Sequence, residues 1–449
     1  MDDQQTQQGP VPADLDAWFA ARPGLSSLRT AICDFNGCWR GKRLPREDLN
    51  KALSGALRMP LSLSALDIWG RDLVDSPLLR AGDADGVARP TGRAPVDMPW
   101  LSRPSALLPL WMYREDGSPS PYDPRHALDA VLRRAAAQGL FPVVGVEIEF
   151  YLVAALDAEP GPPVSPATGQ VLSGDGIHSL AELDGFEAFF DDLYAAAEAS
   201  GIAAEAAIAE GSAGQFEVIL RHGSDVLKVA DDVVLMKHLI RGIAQQHGIA
   251  ASFMAKPYAA AAGNGLHCHV SLVDAAGRNV FDDGGARGSA PLHHAVAGAL
   301  AAMPELTLVL APHLNSYRRL RAGAHAPTHA TWAYEDRFAA LRIPGGPGAA
   351  RRIEHRVAGA DACPYLAVAA ILGAMLEGIE AGVMPVVGAS EALPDRWAAA
   401  IELFGGSAVA RRIFGADFVE MYRAVKLQEL GRFDEEVGAF EMRSYLGVV

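Results

Sequence analysis

Gly263-Asn264-Gly265-Leu266-His267-Cys268-His269-Val270-Ser271-Leu272 reads as a strand entered through a glycine-rich turn. Side chains alternate faces along a strand, so His267 and His269 share one side while Leu266, Cys268 and Val270 share the other. Two imidazoles then face one cavity. Alone, His-x-His describes two partly exposed strand histidines as readily as a pair of ligands. The supply of carboxylates elsewhere in the chain decides between them.

That supply begins at Phe141-Pro142-Val143-Val144-Gly145-Val146-Glu147-Ile148-Glu149-Phe150-Tyr151-Leu152, a strand pattern that puts Glu147 and Glu149 on one face. Neighbouring like charges repel, so the pair needs cations nearby or a solvated face. Further on, Glu210-Gly211-Ser212-Ala213-Gly214-Gln215-Phe216-Glu217 brackets a turn with two more carboxylates, and Glu205 lies just upstream. Beyond the His-x-His strand, arginines gather in Asn315-Ser316-Tyr317-Arg318-Arg319-Leu320-Arg321, at Arg337, Arg342, Arg351 and Arg352, and in Ile353-Glu354-His355-Arg356. A guanidinium grips carboxylate or phosphate with two donors, so this density in an acidic protein points to anionic ligands, with a solvated basic surface as the alternative.

The 449 residues carry a formal net charge of -15, which argues against a general nucleic-acid binder and leaves room for cationic small substrates. The length allows two or three domains, or one large domain with an appendage. Cys33, Cys38, Cys268 and Cys363 lack both Cys-x-x-Cys spacing and disulfide density, so reduced thiols and a cytoplasmic location are expected. Met1 to Gly9 lacks the order of a secretory signal, and the uncharged run Ala362 to Leu376 is too short for a membrane span and reads as a buried helix.

Residues 1 to 12 are expected to be disordered, with a short helix over Asp14 to Ala21. Leu28 to Phe35, the Asn36-Gly37 turn and Trp39 to Pro45 read as a hairpin in a small sheet-rich N-terminal domain. Asp67 to Pro104 reads as loop. Helices are expected from Pro124 to Gln138, Phe186 to Ser200, Asp225 to Gln246 and 291 to 303. Asp361 to Val449 reads as mostly helical, with breaks near Pro385, Pro394, Gly405-Gly406 and Gly431.

Glu147, Glu149, Glu210, Glu217 and Glu354 with His267 offer too many hard oxygen donors for one tetrahedral zinc. They suit two or more Mg2+ or Mn2+ ions that share phosphate oxygens. Metals with arginine clamps are the means of stabilising a phosphoryl group in transfer. The chain has no Gly-x-x-x-x-Gly-Lys-Ser/Thr, so a different ATP-using architecture is required.

At this point the chain resembles glutamine synthetase. The Glu-x-Glu strand, Glu-x-x-x-Gly-Gln-x-Glu-like turn, Asn-Gly-x-His-x-His-x-Ser-Leu stretch, Asn-Ser-Tyr-x-Arg-Leu loop, Arg-Ile-Pro, and Arg-Arg-Ile-Glu-x-Arg before Pro-Tyr-Leu occur in that family's order from about residue 25 to the C-terminus. The resemblance implies an α+β glutamine synthetase fold. After a tail at 1–24 come an N-terminal β-grasp domain at 25–115 and a catalytic domain at 120–449, with a curved antiparallel sheet surrounded by helices. It also implies a dodecamer of two hexameric rings. By matching positions, Glu149, Glu210 and Glu217 resemble the ligands of one metal, and Glu147, His267 and Glu354 those of another, two or three Mg2+ or Mn2+ ions per site. Asn264, Gly265, Arg319 and Arg356 resemble the glutamate-binding set. Glu205, His269, Ser271, Arg342 and Arg352 resemble the ATP-facing set, with Arg337 at the transferring phosphoryl group. The implied reaction passes through γ-glutamyl phosphate, which an amine then converts to an amide.

Two departures fall on the acceptor side. The family's Pro-Gly-Tyr-Glu-Ala-Pro flap is replaced by Arg321-Ala322-Gly323-Ala324-His325-Ala326-Pro327, and its Asp-Gly-Ser-Ser by Asp67-Ile68-Trp69-Gly70. The chain is thus similar to the γ-glutamylamine ligases, including the γ-glutamylpolyamine and γ-glutamylputrescine synthetases. The expected acceptor is a polyamine or monoamine, with His325 as base toward an alkylammonium and Asp67 at the acceptor pocket. Ordinary glutamine synthetase and a non-catalytic structural relative are the alternatives. Ala349 stands where many relatives have a lysine near adenine and Cys363 where they have asparagine, and no tyrosine near Leu393-Pro394 offers an adenylylation site.

Overall fold

In the computed structural model, residues 14–449 are described, apart from 56, 157–159, 175, 387 and 389. The expected disorder of residues 1 to 12 lies outside the described residues. The first helix, Leu15–Ala20, is capped by Asp14, whose carboxylate accepts from Ala17 N at 2.9 Å.

Strands β1 (Ser27–Cys33) and β2 (Trp39–Pro45) form the expected hairpin, with Gly37 at φ +73° in its turn. They join β3 (Leu57–Pro60), β4 (Asp85–Pro90), β5 (Val96–Asp97) and β6 (Ser105–Tyr113) in a mixed sheet of order β2-β1-β6-β4-β3, with β5 also on β6. β4 and β5 correct the reading of 67–104 as loop. Both are short, and both are templated by β6, whose unbroken apolar run pairs on either side. Alternation splits this sheet's side chains between two cores. Leu28, Ile32, Leu108 and Leu110 close a small cluster on one face, while Ala31, Cys33 and Leu107 join the large core on the other.

The second sheet holds β7 (Phe141–Val153), β8 (Ala204–Ala209), β9 (Gln215–Gly223), β10 (Ala250–Ser252) and β11 (Leu266–Val273). β12 (His329–Ala330) stands apart, while β13 (Trp332–Tyr334), β14 (Leu341–Ile343) and β15 (Ile353–His355) complete the sheet. Its order is β13-β14-β15-β11-β7-β9-β8, antiparallel except for β13–β14, with β10 beside β7. β16 (Glu391–Ala392) pairs with β12 in a separate ribbon. Val146, Ile148, Phe150, Val218, Leu266 and Cys268 are buried on the helix-covered side. The opposite side is left to the polar positions of the same strands.

Two long apolar helices, Ala290–Leu310 and Pro364–Ala381, pass the length and hydropathy test for a membrane span, yet 78% of each such window is buried inside the protein. They cross at Gly298 and Gly378, where a Cβ on Gly298 would stand 2.4 Å from Gly378 N. The first helix runs past Pro304, where the sequence suggested a stop. A helix-interior proline costs about 3 kcal/mol. Burying Leu306, Leu308, Val309 and Leu310 beyond it returns about 1.5–3 kcal/mol each, so the helix continues. Gly431 likewise lies inside the helix Ala416–Glu435 rather than breaking it.

Candidate active site

Strand register assembles the site. β7 sits between β11 and β9, so Glu147 lies opposite His267, and Glu149 lies opposite Glu217. β15 on the other flank of β11 sets Glu354 opposite His269, and β14 sets Arg342 opposite Glu354. Residues two apart share a face, which is why five strands deliver their charged groups to one surface.

Glu147 is the hub. Its Oε2 accepts from His267 Nδ1 at 3.1 Å and its Oε1 from His269 Nε2 at 2.9 Å. Arg352 Nε donates to His269 Nδ1 at 3.1 Å, which fixes that ring's Nε2 as the protonated nitrogen. His267 donates from Nδ1 to Glu147, and its Nε2 lies 3.8 Å from Glu149 Oε1. Burial alone would raise the Glu147 carboxyl, but the two imidazole hydrogen bonds hold it well below the usual carboxylate range. Burial likewise opposes ionisation of Glu354, whose carboxyl is nevertheless held down by Arg356, His267, His269 and the Arg342 hydrogen bond at 2.8 Å.

The other carboxyls go the opposite way. Burial, then Glu149 and Glu147, push Glu210 up to about 7. Burial with Glu147, Glu149, Glu210 and Glu354 pushes Glu217 well above its ordinary value. A cluster of carboxylates that raise one another is the donor set a hard divalent cation fits. Ligand atoms of Glu147, His269 and Glu354 lie within 4.8 Å of one another, as do those of Glu147, Glu217 and His267. These groupings differ from the two sets carried over from the resemblance. His269 joins Glu354 because β11–β15 register puts them face to face, while Glu149 Oε2 accepts from Gly265 N at 2.7 Å and its Oε1 lies 3.8 Å from His267 Nε2.

Two cavities open from this surface. The first, about 890 Å³, is lined by Glu149, Glu210 and His267 with Arg319, Arg337, Arg356 and His325 among others. The second, about 940 Å³, is lined by Glu147, Glu205, His269, Ser271 and Arg352, with Ala349 at its wall. β7 and β11 form the partition, each offering one acid or imidazole to either side.

Four expected residues make contacts that the sequence did not announce. Asn264 is fully buried, with Nδ2 donating to Met254 O at 2.9 Å and Oδ1 accepting from Gln215 Nε2 at 3.1 Å, so it braces the loop while Gly263 lines the first cavity. Gly265 is a spacer. A Cβ there would meet His267 Nε2 at 2.8 Å and Arg319 Nη2 at 2.9 Å. Arg342, expected at the nucleotide, clamps Glu354 because their strands pair there. Asp67 is buried away from both cavities of its chain. Its Oδ1 accepts from Trp69 N and Arg71 N at 3.0 and 2.8 Å, and its Oδ2 from Gln428 Nε2 at 3.1 Å. Ile177, Lys256 and Phe338 line the first cavity without having been singled out in the sequence. Only their place in the fold reveals them.

Such a surface, acidic and imidazole-bearing between two cavities with guanidiniums at the rims, defines a ligase that activates a carboxylate with a nucleotide. Residues 121–445 match the glutamine synthetase catalytic domain family, and the chain belongs to the glutamine synthetase family. It is 36% identical to the γ-glutamylputrescine synthetase of Escherichia coli (strain K12), over 96% of this chain and 93% of that protein. It is 30% identical to the glutamate–isopropylamine ligase of a Pseudomonas species, over 96% and 97%. A solved GmaS/ADP complex superposes with a TM-score of 0.83 at 28% identity, covering 97% of this chain and 99% of that one. The protein is an ATP-dependent ligase with the glutamine synthetase fold, and the family's use of ATP and divalent metal suits the donor set described.

The raised Glu210 sets a pH dependence for metal binding. A carboxyl lifted to about 7 in the fold adds stability below its unfolded value and loses it as pH rises through 7. A cation that binds the ionised form removes that loss. Mn2+ or Mg2+ at about a hundredfold excess over Kd should add about 2.7 kcal/mol of stability. The gain in melting temperature should be larger near about pH 8 than near about pH 5.5. Equal gains at both pH values would contradict it.

Proposed function

We propose that the protein joins the γ-carboxylate of L-glutamate to an amine other than ammonia, through γ-glutamyl phosphate. The observation that carries this reading is the carboxylate–imidazole surface shared by two cavities, combined with a flap that presents His325 where the family's glutamate is replaced. ATP enters the second cavity past Glu205, His269, Ser271 and Arg352. Glutamate occupies the first, held by Arg319 and Arg356 near Gly263.

Two or three Mg2+ or Mn2+ ions held by Glu147, Glu149, Glu210, Glu217, His267 and Glu354, with His269 beside them, would neutralise phosphate charge. Arg337, exposed on the rim of the first cavity, offers its guanidinium to the transferring phosphoryl group. The γ-carboxylate oxygen attacks the terminal phosphorus and ADP leaves. The amine nitrogen then attacks the γ-carbonyl carbon and phosphate leaves. An alkylammonium must first lose a proton, and His325, exposed on the flap at φ +57° and lining the same cavity, is placed to accept it.

The same reading divides the chain into a β-grasp domain near 25–115 and a catalytic domain near 120–449, supported by the two sheets and two cores. It includes a cytoplasmic dodecamer of two rings, in keeping with four free cysteines. ADP release with glutamate and a panel of monoamines, diamines, ethanolamine and ammonium tests the reading. Several amines should exceed ammonium in kcat/KM, and ammonium exceeding them all would return the protein to ordinary glutamine synthetase.

A further inference from the structure

The second cavity leads away from the metal-binding surface along two paired strands. His269, Ser271 and Val273 share one face of β11, and Gly145 and Val143 of β7 stand opposite His269 and Ser271. His269 touches the Glu147 hub, and the four residues from it to Val273 span about 14 Å at the rise of an antiparallel strand. A triphosphate and its ribose reach about as far. A nucleotide whose terminal phosphate meets the metals therefore carries its base to the Val143 and Val273 end, where apolar side chains suit the flat face of a purine.

Past Val273 the chain folds back, with Asn279 bridged to Val273 and Val280 N donating to Leu272 O at 2.9 Å. Asp282 follows. Its carboxylate lies against Gly348, where a Cβ would find no room, and its Oδ1 accepts from Gly284 N at 3.0 Å. The side chain is thus held in place where it lines the cavity beside Ala349.

Among the described residues three carboxylates line this cavity, Glu147, Glu205 and Asp282. Glu147 is occupied by two imidazoles, and strand register puts Glu205 on β8 level with it, since Ile219 pairs with Glu147 on one side and Ala206 on the other. The cavity's cations are engaged elsewhere: Arg278 is 2.7 Å from Asp274, and Arg352 donates to His269 Nδ1 at 3.1 Å. Asp282 has no cationic partner among the described residues, and Ala349 beside it brings no charge. A carboxylate in this position accepts and cannot donate. Adenine presents an exocyclic amino group, a donor, where hypoxanthine and guanine present a carbonyl. Resting on the placement of ATP proposed above, we infer that Asp282 accepts a hydrogen bond from the exocyclic amino group of adenine and so sets the choice of nucleotide.

ATP and purine riboside triphosphate differ only in that amino group, so they form the matched pair for the test. Titrated with Mg2+ into the full-length protein in a calorimeter, with no glutamate or amine present, ATP should bind about tenfold or more tighter, the range of one hydrogen bond to a charged group. Asp282→Ala should bring the two affinities together by weakening ATP and leaving the purine analogue unchanged. Asp282→Asn keeps an acceptor for Gly284 N and gains an amide donor, so inosine triphosphate should gain on ATP by about tenfold. Equal affinities in the unaltered protein, or an Asp282→Ala protein that binds both nucleotides more weakly by the same factor, as a loosened turn would, overturns the inference and leaves the ligase reading standing. Tighter binding of GTP than of ATP likewise overturns it. No binding of ATP at all overturns both.

Discussion

Glu147→Gln should lower kcat/KM for ADP release by about 10³-fold or more, a loss of the size expected when a preorganised charge is removed from a transition state. Glutamine fills the same space but carries no charge, and its amide cannot accept from both His267 Nδ1 and His269 Nε2 as the two carboxylate oxygens do. Both imidazoles lose the partner that fixes their orientation, and both potential ligand groups lose a member. Mn2+ affinity of the isolated protein should fall in parallel, by about tenfold or more. A loss of turnover with unchanged Mn2+ affinity would assign Glu147 to some other task.

The second large effect is on stability. Lys426 and Glu429 are completely buried, 2.9 Å apart, on the helix Ala416–Glu435. Lys426 also donates to Asn36 Oδ1 at 2.7 Å, and Glu429 accepts from Ile68 N at 2.8 Å, so one ion pair fastens two loops of the N-terminal sheet region to the C-terminal helix. Burial opposes the Glu429 charge, yet Lys426 and His313 hold its carboxyl down at about 2. Lys426→Met leaves that carboxylate buried without its cation and should cost about 3–5 kcal/mol in a denaturant or thermal melt. Replacing both, Lys426→Met with Glu429→Leu, should cost less than the single change, because no orphaned charge remains. A double variant as unstable as the sum of its parts would contradict this view of the pair.

Much of the site was legible because its signals are local. Glu147-x-Glu149 and His267-x-His269 announce their shared faces through a period of two, and the register between β7 and β11 merely brings one pair to the other. The hairpin at Asn36-Gly37 and the helix from Pro124 were equally plain from turn and cap chemistry. What could not be read depends on distant partners. Asp67 accepts from Gln428, 361 positions away, a contact that no local pattern in the sequence announces. β4 and β5 exist because each pairs with a stretch of β6, and the helix beyond Pro304 persists because its far end is buried. Ile177 sits in a stretch of proline, glycine and serine with no periodicity to single it out, and only the fold brings it over Gly211 at the first cavity.

The acceptor is settled most directly in one tube, with glutamate, ATP, metal, and equal concentrations of ammonium and butylamine competing for the same enzyme, the products then being weighed by mass spectrometry. γ-Glutamylbutylamide in clear excess over glutamine is the expected outcome. Glutamine as the main product would contradict the proposal that a ligase with His325 on its flap uses an organic amine in place of ammonia.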